Sequence, residues 1–224
     1  MKDQIDYESV ITVPESGIAG DIPEMAPDER ISTILIPEEC LRARVGALAA
    51  QICRDYAKTR ELHVVIVLNG AFVFAADLGR EICKLGGPEI RYDFLKAITY
   101  GTGLKGPGET DRQVSITMRP AHLEGADILL VDDIVDQAFT LSKARHLLEV
   151  DRTSSIRTCA LLCKLLQKPS AQVKDLKDRL TLDYVGFNVP DRWVAGYGID
   201  AGEDFRHLPF IVAVNEGYYR KGVR

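Results

Sequence analysis

Unbroken apolar runs alternate along this chain with segments whose apolar positions recur every three or four residues. Residues 64–68 (Val-Val-Ile-Val-Leu) and 128–131 (Ile-Leu-Leu-Val) are such runs. They suit strands buried on both faces, as in a parallel sheet. Residues 91–99 and 156–163 read as further strands. Residues 38–56 place Leu41, Val45, Leu48, Ile52 and Tyr56 on one helical face, with Pro37 set for the first turn. The chain breaks at Asn69-Gly70 into a second helical segment, 72–85, and a third carries Leu141, Ala144, Leu147 and Leu148. Strand and helix in alternation predict a parallel α/β sheet. Short strand-like pieces at 184–187, 193–197 and 210–214 predict a small hood over one edge.

Glycine and proline punctuate this pattern. Residues 1–27 hold Pro14, Gly17, Gly20, Pro23 and Pro27 and read as an extended N-terminal arm, one that a partner subunit could order. Folding proper starts near Ile31. The domain is expected over 28–224, with a core at about 31–165 and a C-terminal segment at about 180–220. Gly101, Gly103, Gly106 and Gly108, with Pro107, make a loop too glycine-rich for regular structure, the length at which loops serve as lids. Residues 167–179 are a polar stretch.

The bulk numbers then exclude classes of partner. A chain of 224 residues, 46% hydrophobic and 27% charged, is ordinary for a water-soluble domain. A net charge of -5 argues against a nucleic-acid or anionic-membrane surface. No apolar run is long enough to span a bilayer. The five cysteines show no metal-ligand spacing, and their odd count fits a reducing compartment, so the cytoplasm is expected. Cys159 and Cys163 read as core packing on a strand.

The chemistry concentrates at 128–140. Three carboxylates (Asp132, Asp133, Asp136) follow the apolar run, and a small-residue turn leads into a helix. The carboxyl end of such a strand is where open α/β sheets bind ligands. Backbone amides of the turn and the helix N-terminus suit a phosphate. Asp132 and Asp133 suit sugar hydroxyls or the hydration shell of a magnesium ion, and Asp136 could take a proton.

Residues 128–140 resemble the ribose-phosphate motif of type I phosphoribosyltransferases: four apolar residues, two acids, two apolar residues, then Asp-Thr-Gly-x-Thr. The wider chain resembles hypoxanthine-guanine phosphoribosyltransferases. Leu68-Asn69-Gly70-Ala71 is similar to their pyrophosphate loop, and Thr99-Tyr100-Gly101 to the Ser-Tyr-Gly that opens their mobile loop. Residues 184–200 and then Glu203, Phe205 and Arg206 resemble their purine-pocket segment.

The resemblance implies the type I phosphoribosyltransferase fold, a mostly parallel sheet flanked by helices with a hood from the C-terminal segment. It implies transfer of phosphoribosyl from phosphoribosyl pyrophosphate to a 6-oxopurine with Mg2+ as cofactor, in a homodimer or homotetramer. Asp136 matches the catalytic Asp at purine N7, and Lys164 the donor to the 6-oxo group. Trp193 matches the stacking aromatic, and Val194 the residue whose backbone meets the base edge. Asp132 and Asp133 are assigned to ribose and metal, Asp200 to metal, Arg206 and residues 68–70 to pyrophosphate. Gln137, Ala138, Phe139 and Thr140 are assigned to the 5′-phosphate, and Thr99 and Tyr100 to the closing loop. Without the resemblance, Lys164 reads as a strand-end lysine and Trp193 as core packing.

Four departures from the family pattern stand out. Gln137 removes a hydroxyl from the phosphate loop, Asn69 stands where Lys is usual, and Asp132 replaces the more frequent Glu. The mobile loop reads Leu104-Lys105-Gly106-Pro107 in place of a Ser/Thr cluster. Two readings follow: an active purine-salvage enzyme, and a divergent paralogue that binds nucleotides and regulates a partner.

Overall fold

Side chains on alternate positions of β3 (Glu61–Leu68) enter different clusters: Val64 and Ile66 one, Val65 and Val67 another. β6 (Asp127–Val135) divides the same way, with Leu129 and Val131 on one face and Ile128 and Leu130 on the other. Each strand is therefore buried twice, which is why it reads as an unbroken apolar run. A computed structural model describes residues 8–21, 28–100 and 113–220, with only the backbone of Thr99, Tyr100, Gln113 and Arg220. The glycine-rich segment expected as a lid lies outside the described residues.

The remaining strands of the main sheet are β1 (Ile11–Thr12), β4 (Glu89–Tyr100), β5 (Gln113–Met118), β7 (Ser155–Leu165) and β8 (Tyr184–Pro190). Their order is β1-β8-β7-β6-β3-β4-β5, parallel except for the antiparallel β4–β5 pair. Helices α1 (Glu38–Asp55) and α2 (Phe72–Lys84) cover one face. α3 (Phe139–Glu149) covers the other, joined by Leu176 of α4 (Ala171–Arg179). A fully buried Leu, Ile or Val contributes about 1.5–3 kcal/mol to holding such layers together.

α1 begins with Glu38 and Glu39 in its first turn and ends with Arg54 in its last, complementing the helix dipole. Pro37 is its N-cap, one position before the expected first turn.

β3 leads through α2 to β4 on one side, and β6 leads through α3 to β7 on the other. The gap between the carboxyl ends of β3 and β6 is thus the topological switch point, the ligand crevice of an open α/β sheet.

Several sequence expectations change. The hood is a three-stranded sheet ordered β2-β10-β9, so β2 (Ile31–Ile36) joins β9 (Val194–Ala195) and β10 (Ile211–Val214), and the C-terminal segment does not build it alone. An apolar strand announces burial but not the sheet it joins. The N-terminal arm needs no partner subunit along 8–21. β1 pairs in parallel with β8 of the same chain, Val13 N–H donates to Asn188 O (2.8 Å), and Val13 is buried. β5 and α4 are regular elements that the sequence pattern does not predict, and the short helix α5 (Glu216–Arg220) closes the described chain.

Candidate active site

The site begins where β6 loses one of its neighbours. Its pairing with β3 ends at Ile66↔Val131, whereas its pairing with β7 runs on to Val135↔Cys163. Asp132 and Asp133 therefore belong to the strand itself, not to a turn after it, and face the gap left by β3. The turn that closes β3 fills that gap with Gly70, after a cis Leu68–Asn69 peptide. A methyl group built on Gly70 would overlap Asp133 Oδ2. Gly198 of the hood loop has φ +100°, and a methyl there would overlap Gly70 O. Glycine is required at Gly198 by its positive φ and close backbone approach, while at Gly70 a methyl would have to displace the Asp133 carboxylate. Asp133, Gly70 and Gly198 thus form a stack that joins strand, turn and hood.

Asp132 is buried, and Asp133 N–H donates to Asp132 Oδ1 (3.1 Å). Burial pushes the Asp132 carboxyl well above the usual carboxylate range, and the adjacent Asp133 charge adds to the shift. Burial also raises Asp133, opposed by its bonds to Asp132 and the Ile134 amide (2.8 Å) and by the Arg206 guanidinium. Arg206 is held in turn: Nη2 pairs with Asp200 Oδ1 (2.8 Å) and Nη1 donates to Gly198 O (2.9 Å).

Among the described residues, no three His, Cys, Asp or Glu side chains converge as a cage for a metal. Magnesium needs none, since one or two carboxylates together with substrate oxygens hold it. The Asp132–Asp133 pair fits that role: hard oxygen donors in a buried place where their own charge is unfavourable. Asp200 is engaged by Arg206.

Past Val135 the strand gives way to a turn and α3. Ala138 is the N-cap in a left-handed conformation (φ +68°), and no side chain caps the first turn, so its amides remain for a ligand. Residues 134–141 with Asp132 line an open pocket of about 80 Å3. Gln137 Oε1 is buried here and meets no donor among the described residues.

Asp136 faces Lys164, which is 3% exposed at the end of β7, with Nζ 3.3 Å from Asp136 Oδ2. Lys164 pairs with Val189 of β8 and Leu165 with Pro190, which sets Lys164 beside the segment that enters Trp193. Arg44 of α1 fixes β8 from behind, donating to Val185 O (2.7 Å) and Gly186 O (3.0 Å). Trp193 packs on Tyr219 (centroids 4.9 Å apart) against the hood cluster. Val214 N–H donates to Trp193 O (2.9 Å), which makes Val194↔Ala213 a non-hydrogen-bonded pair. The N–H and C=O of Val194 therefore point off the edge of the hood sheet.

The phosphoribosyl transferase domain family matches residues 38–201. The hypoxanthine phosphoribosyltransferase of Salmonella typhimurium is 37% identical over 180 residues, covering 80% of this chain and 92% of that protein. The chain belongs to the hypoxanthine-guanine phosphoribosyltransferases. The Bacillus subtilis hypoxanthine-guanine phosphoribosyltransferase is 35% identical over 189 residues, 84% of this chain and 96% of its own. In structure, a hypoxanthine phosphoribosyl transferase of Trypanosoma cruzi matches with a TM-score of 0.74 at 32% identity, covering 88% of this chain and 98% of that one. The expected type I phosphoribosyltransferase fold and the enzyme class, purine salvage by phosphoribosyl transfer, thus hold for this chain.

The geometry gathers the residues singled out in sequence into two groups. Asp132, Asp133, Gly70, Arg206 and Asp200 surround the switch point, while Asp136 and residues 137–140 line the pocket and Lys164 meets Asp136 beside it. Thr99 and Tyr100 end β4, their side chains outside the described residues. Two participants escaped the sequence reading. Gly198 was hidden because its role depends on a contact with Gly70. Lys177 of α4 donates to Asp136 O (3.2 Å) and Lys164 O (2.7 Å), within a stretch read only as polar. Ser170 as N-cap and the pair Val173 and Leu176 were the available signal for that helix.

Proposed function

We propose that this phosphoribosyltransferase joins hypoxanthine or guanine to the ribose of phosphoribosyl pyrophosphate, releasing pyrophosphate and a nucleoside monophosphate. The observation that carries the reading is the Asp136–Lys164 pair (3.3 Å), whose Asp136 lines the open pocket at the start of α3. As purine N9 bonds to the anomeric carbon and the bond to pyrophosphate breaks, Asp136 accepts the proton of N7. Its benefit is chiefly geometric, because an ordinary carboxylate is a weak base near neutral pH. Lys164 donates to the 6-oxo group and has no acceptor to meet on a 6-amino purine.

Amides of α3 and residues 137–140 hold the 5′-phosphate. Asp132 and Asp133 take the ribose hydroxyls, and Arg206 with Leu68, Asn69 and Gly70 takes the pyrophosphate, for which a planar guanidinium is suited. Trp193 stacks on the base, and the outward backbone of Val194 meets its edge. Thr99 and Tyr100 are assigned to the cover that excludes water. Magnesium, held by Asp132 and Asp133 with Asp200 nearby, would offset the charge of the leaving pyrophosphate.

A homodimer or homotetramer is supported by the exposed apolar side chains of Tyr92, Phe94, Ile98 and Met118 along β4 and β5. Five free cysteines support a reducing, cytoplasmic setting.

The test is nucleotide formation by the pure protein from phosphoribosyl pyrophosphate and magnesium with hypoxanthine, guanine, xanthine and adenine in turn. Turnover of hypoxanthine and guanine but not adenine is expected, and xanthine reports how Val194 and Asp200 meet the purine 2-position. No turnover with any base overturns the reading. Nucleotide binding without turnover then favours the regulatory paralogue, for which the partnerless Gln137 carbonyl in the phosphate loop is the motivating observation.

A further inference from the structure

Lys177 lies on α4, outside every segment that resembles the family's site. α4 starts at Ser170, whose hydroxyl accepts from Val173 N–H (3.3 Å), and buries Val173 against its surroundings. Val173 is the buried residue of α4, and Lys177, four residues on, shares its face. The Lys177 ammonium there donates to two main-chain carbonyls, Lys164 O at 2.7 Å and Asp136 O at 3.2 Å. These belong to the two residues whose side chains face each other across the candidate purine site.

The two carbonyls come from the ends of neighbouring strands, β6 and β7, at the level where their ladder has stopped. The last paired residues are Val135 and Cys163; Asp136 directly follows β6, and Lys164 is the next residue of β7. The strand register between β6 and β7 does not extend past that pair. Lys177 ties the two backbones there with charge-assisted bonds, stronger than neutral ones. Its other neighbours on α4 do not share this role: Lys174 is exposed, and Arg179 pairs with Asp175 (3.0 Å) on the solvent side.

We infer that Lys177 is a positioning residue for phosphoribosyl transfer, setting the spacing between Asp136 and Lys164 through their main-chain carbonyls. The inference rests on the reading that these two side chains hold the purine. Lys177 touches no reacting atom in this account. Its loss lets Asp136 drift from N7 and Lys164 from the 6-oxo group, while the 5′-phosphate amides and the pyrophosphate residues keep their places.

The experiment compares the wild type with Lys177→Met, Lys177→Arg and the exposed-face control Lys174→Met. It measures kcat, KM for hypoxanthine, KM for phosphoribosyl pyrophosphate and the melting temperature of each. A misplacement of about 1 Å at reacting groups costs up to about 100-fold. Lys177→Met is therefore expected to lose about 10- to 100-fold in kcat/KM for hypoxanthine, with the KM for phosphoribosyl pyrophosphate changed less than about twofold. Lys177→Arg, which keeps the charge and donors, is expected to recover most of the loss, and Lys174→Met to match the wild type.

A Lys177→Met enzyme within about twofold of the wild type overturns the inference. So does a loss shared equally by both KM values and the melting temperature, or a loss that Lys177→Arg leaves unrepaired. A wild type inactive with every base overturns the functional reading itself, and with it the inference.

Discussion

The backbone of Gly70 lies directly against the Asp133 carboxylate, so that even a methyl group at Gly70 would overlap Asp133 Oδ2. The carboxylate cannot yield freely, because its Oδ1 accepts from the Ile134 amide (2.8 Å) and its amide donates to Asp132 (3.1 Å). Gly70→Ala is expected to turn Asp133 away and lower kcat/KM on the order of 100-fold, the scale of an ångström-sized misplacement. Circular dichroism should show the fold retained. An alanine variant within about twofold of the wild type in steady-state kinetics would show that this contact does not serve the reaction.

Asp132 predicts a trade of stability against activity. Its carboxyl is raised by burial and by Asp133, so its ionised form is disfavoured in the folded protein. The stability linked to this group is fully present below the unfolded pKa near 3.9 and is lost as pH rises through the higher folded value. Asp132→Asn is therefore expected to melt above the wild type at pH 7.5, by about 2–4 °C for each kcal/mol relieved in a domain of this size. The gap should narrow at pH 4 while nucleotide formation falls. Calorimetry at the two pH values checks it, and a variant less stable than the wild type at pH 7.5 contradicts it.

The N-terminal end of α3 carries a defect that one substitution should repair. Gln137 Oε1 is buried in the pocket at the start of α3 without a donor among the described residues. An unsatisfied buried acceptor costs about 1–3 kcal/mol. Gln137→Thr removes it and offers a hydroxyl that can donate to phosphate. The expected result is a KM for phosphoribosyl pyrophosphate about 5- to 10-fold lower, with the KM for hypoxanthine unchanged. An unchanged or higher KM for phosphoribosyl pyrophosphate would assign Gln137 a favourable contact of its own.

These residues differ in how legible they are in sequence, and the difference is physical. Asp132, Asp133, Asp136 and residues 137–140 serve one strand–turn–helix unit, so their spatial relation follows from adjacency along the chain. β3 is legible because both its faces are buried. β2 is shorter and carries Ser32 and Thr33, and nothing in Ile31–Ile36 tells that it joins the hood. α4 is short and mostly charged, and Val173 alone is buried within it, too sparse a period to read. Lys177 reaches Asp136 across 41 residues of sequence, and Gly198 meets Gly70 only when the hood folds over the switch point. Contacts of that kind depend on how elements pack, which periodicity does not encode. The family resemblance assigns Lys164 and Trp193 to the purine site, where their residue types alone suggest a strand-end lysine and a core aromatic.

The central claim is that Asp136 and Lys164 hold a 6-oxopurine for attack on the ribose. Its most direct test compares initial rates of nucleoside monophosphate formation from hypoxanthine and phosphoribosyl pyrophosphate in the wild type and in Asp136→Ala. General-base groups contribute about 100- to 10,000-fold. A rate lower by at least about 100-fold in the variant, with product nucleotide still bound by both proteins, is the predicted result. Equal rates in the two proteins would contradict the account.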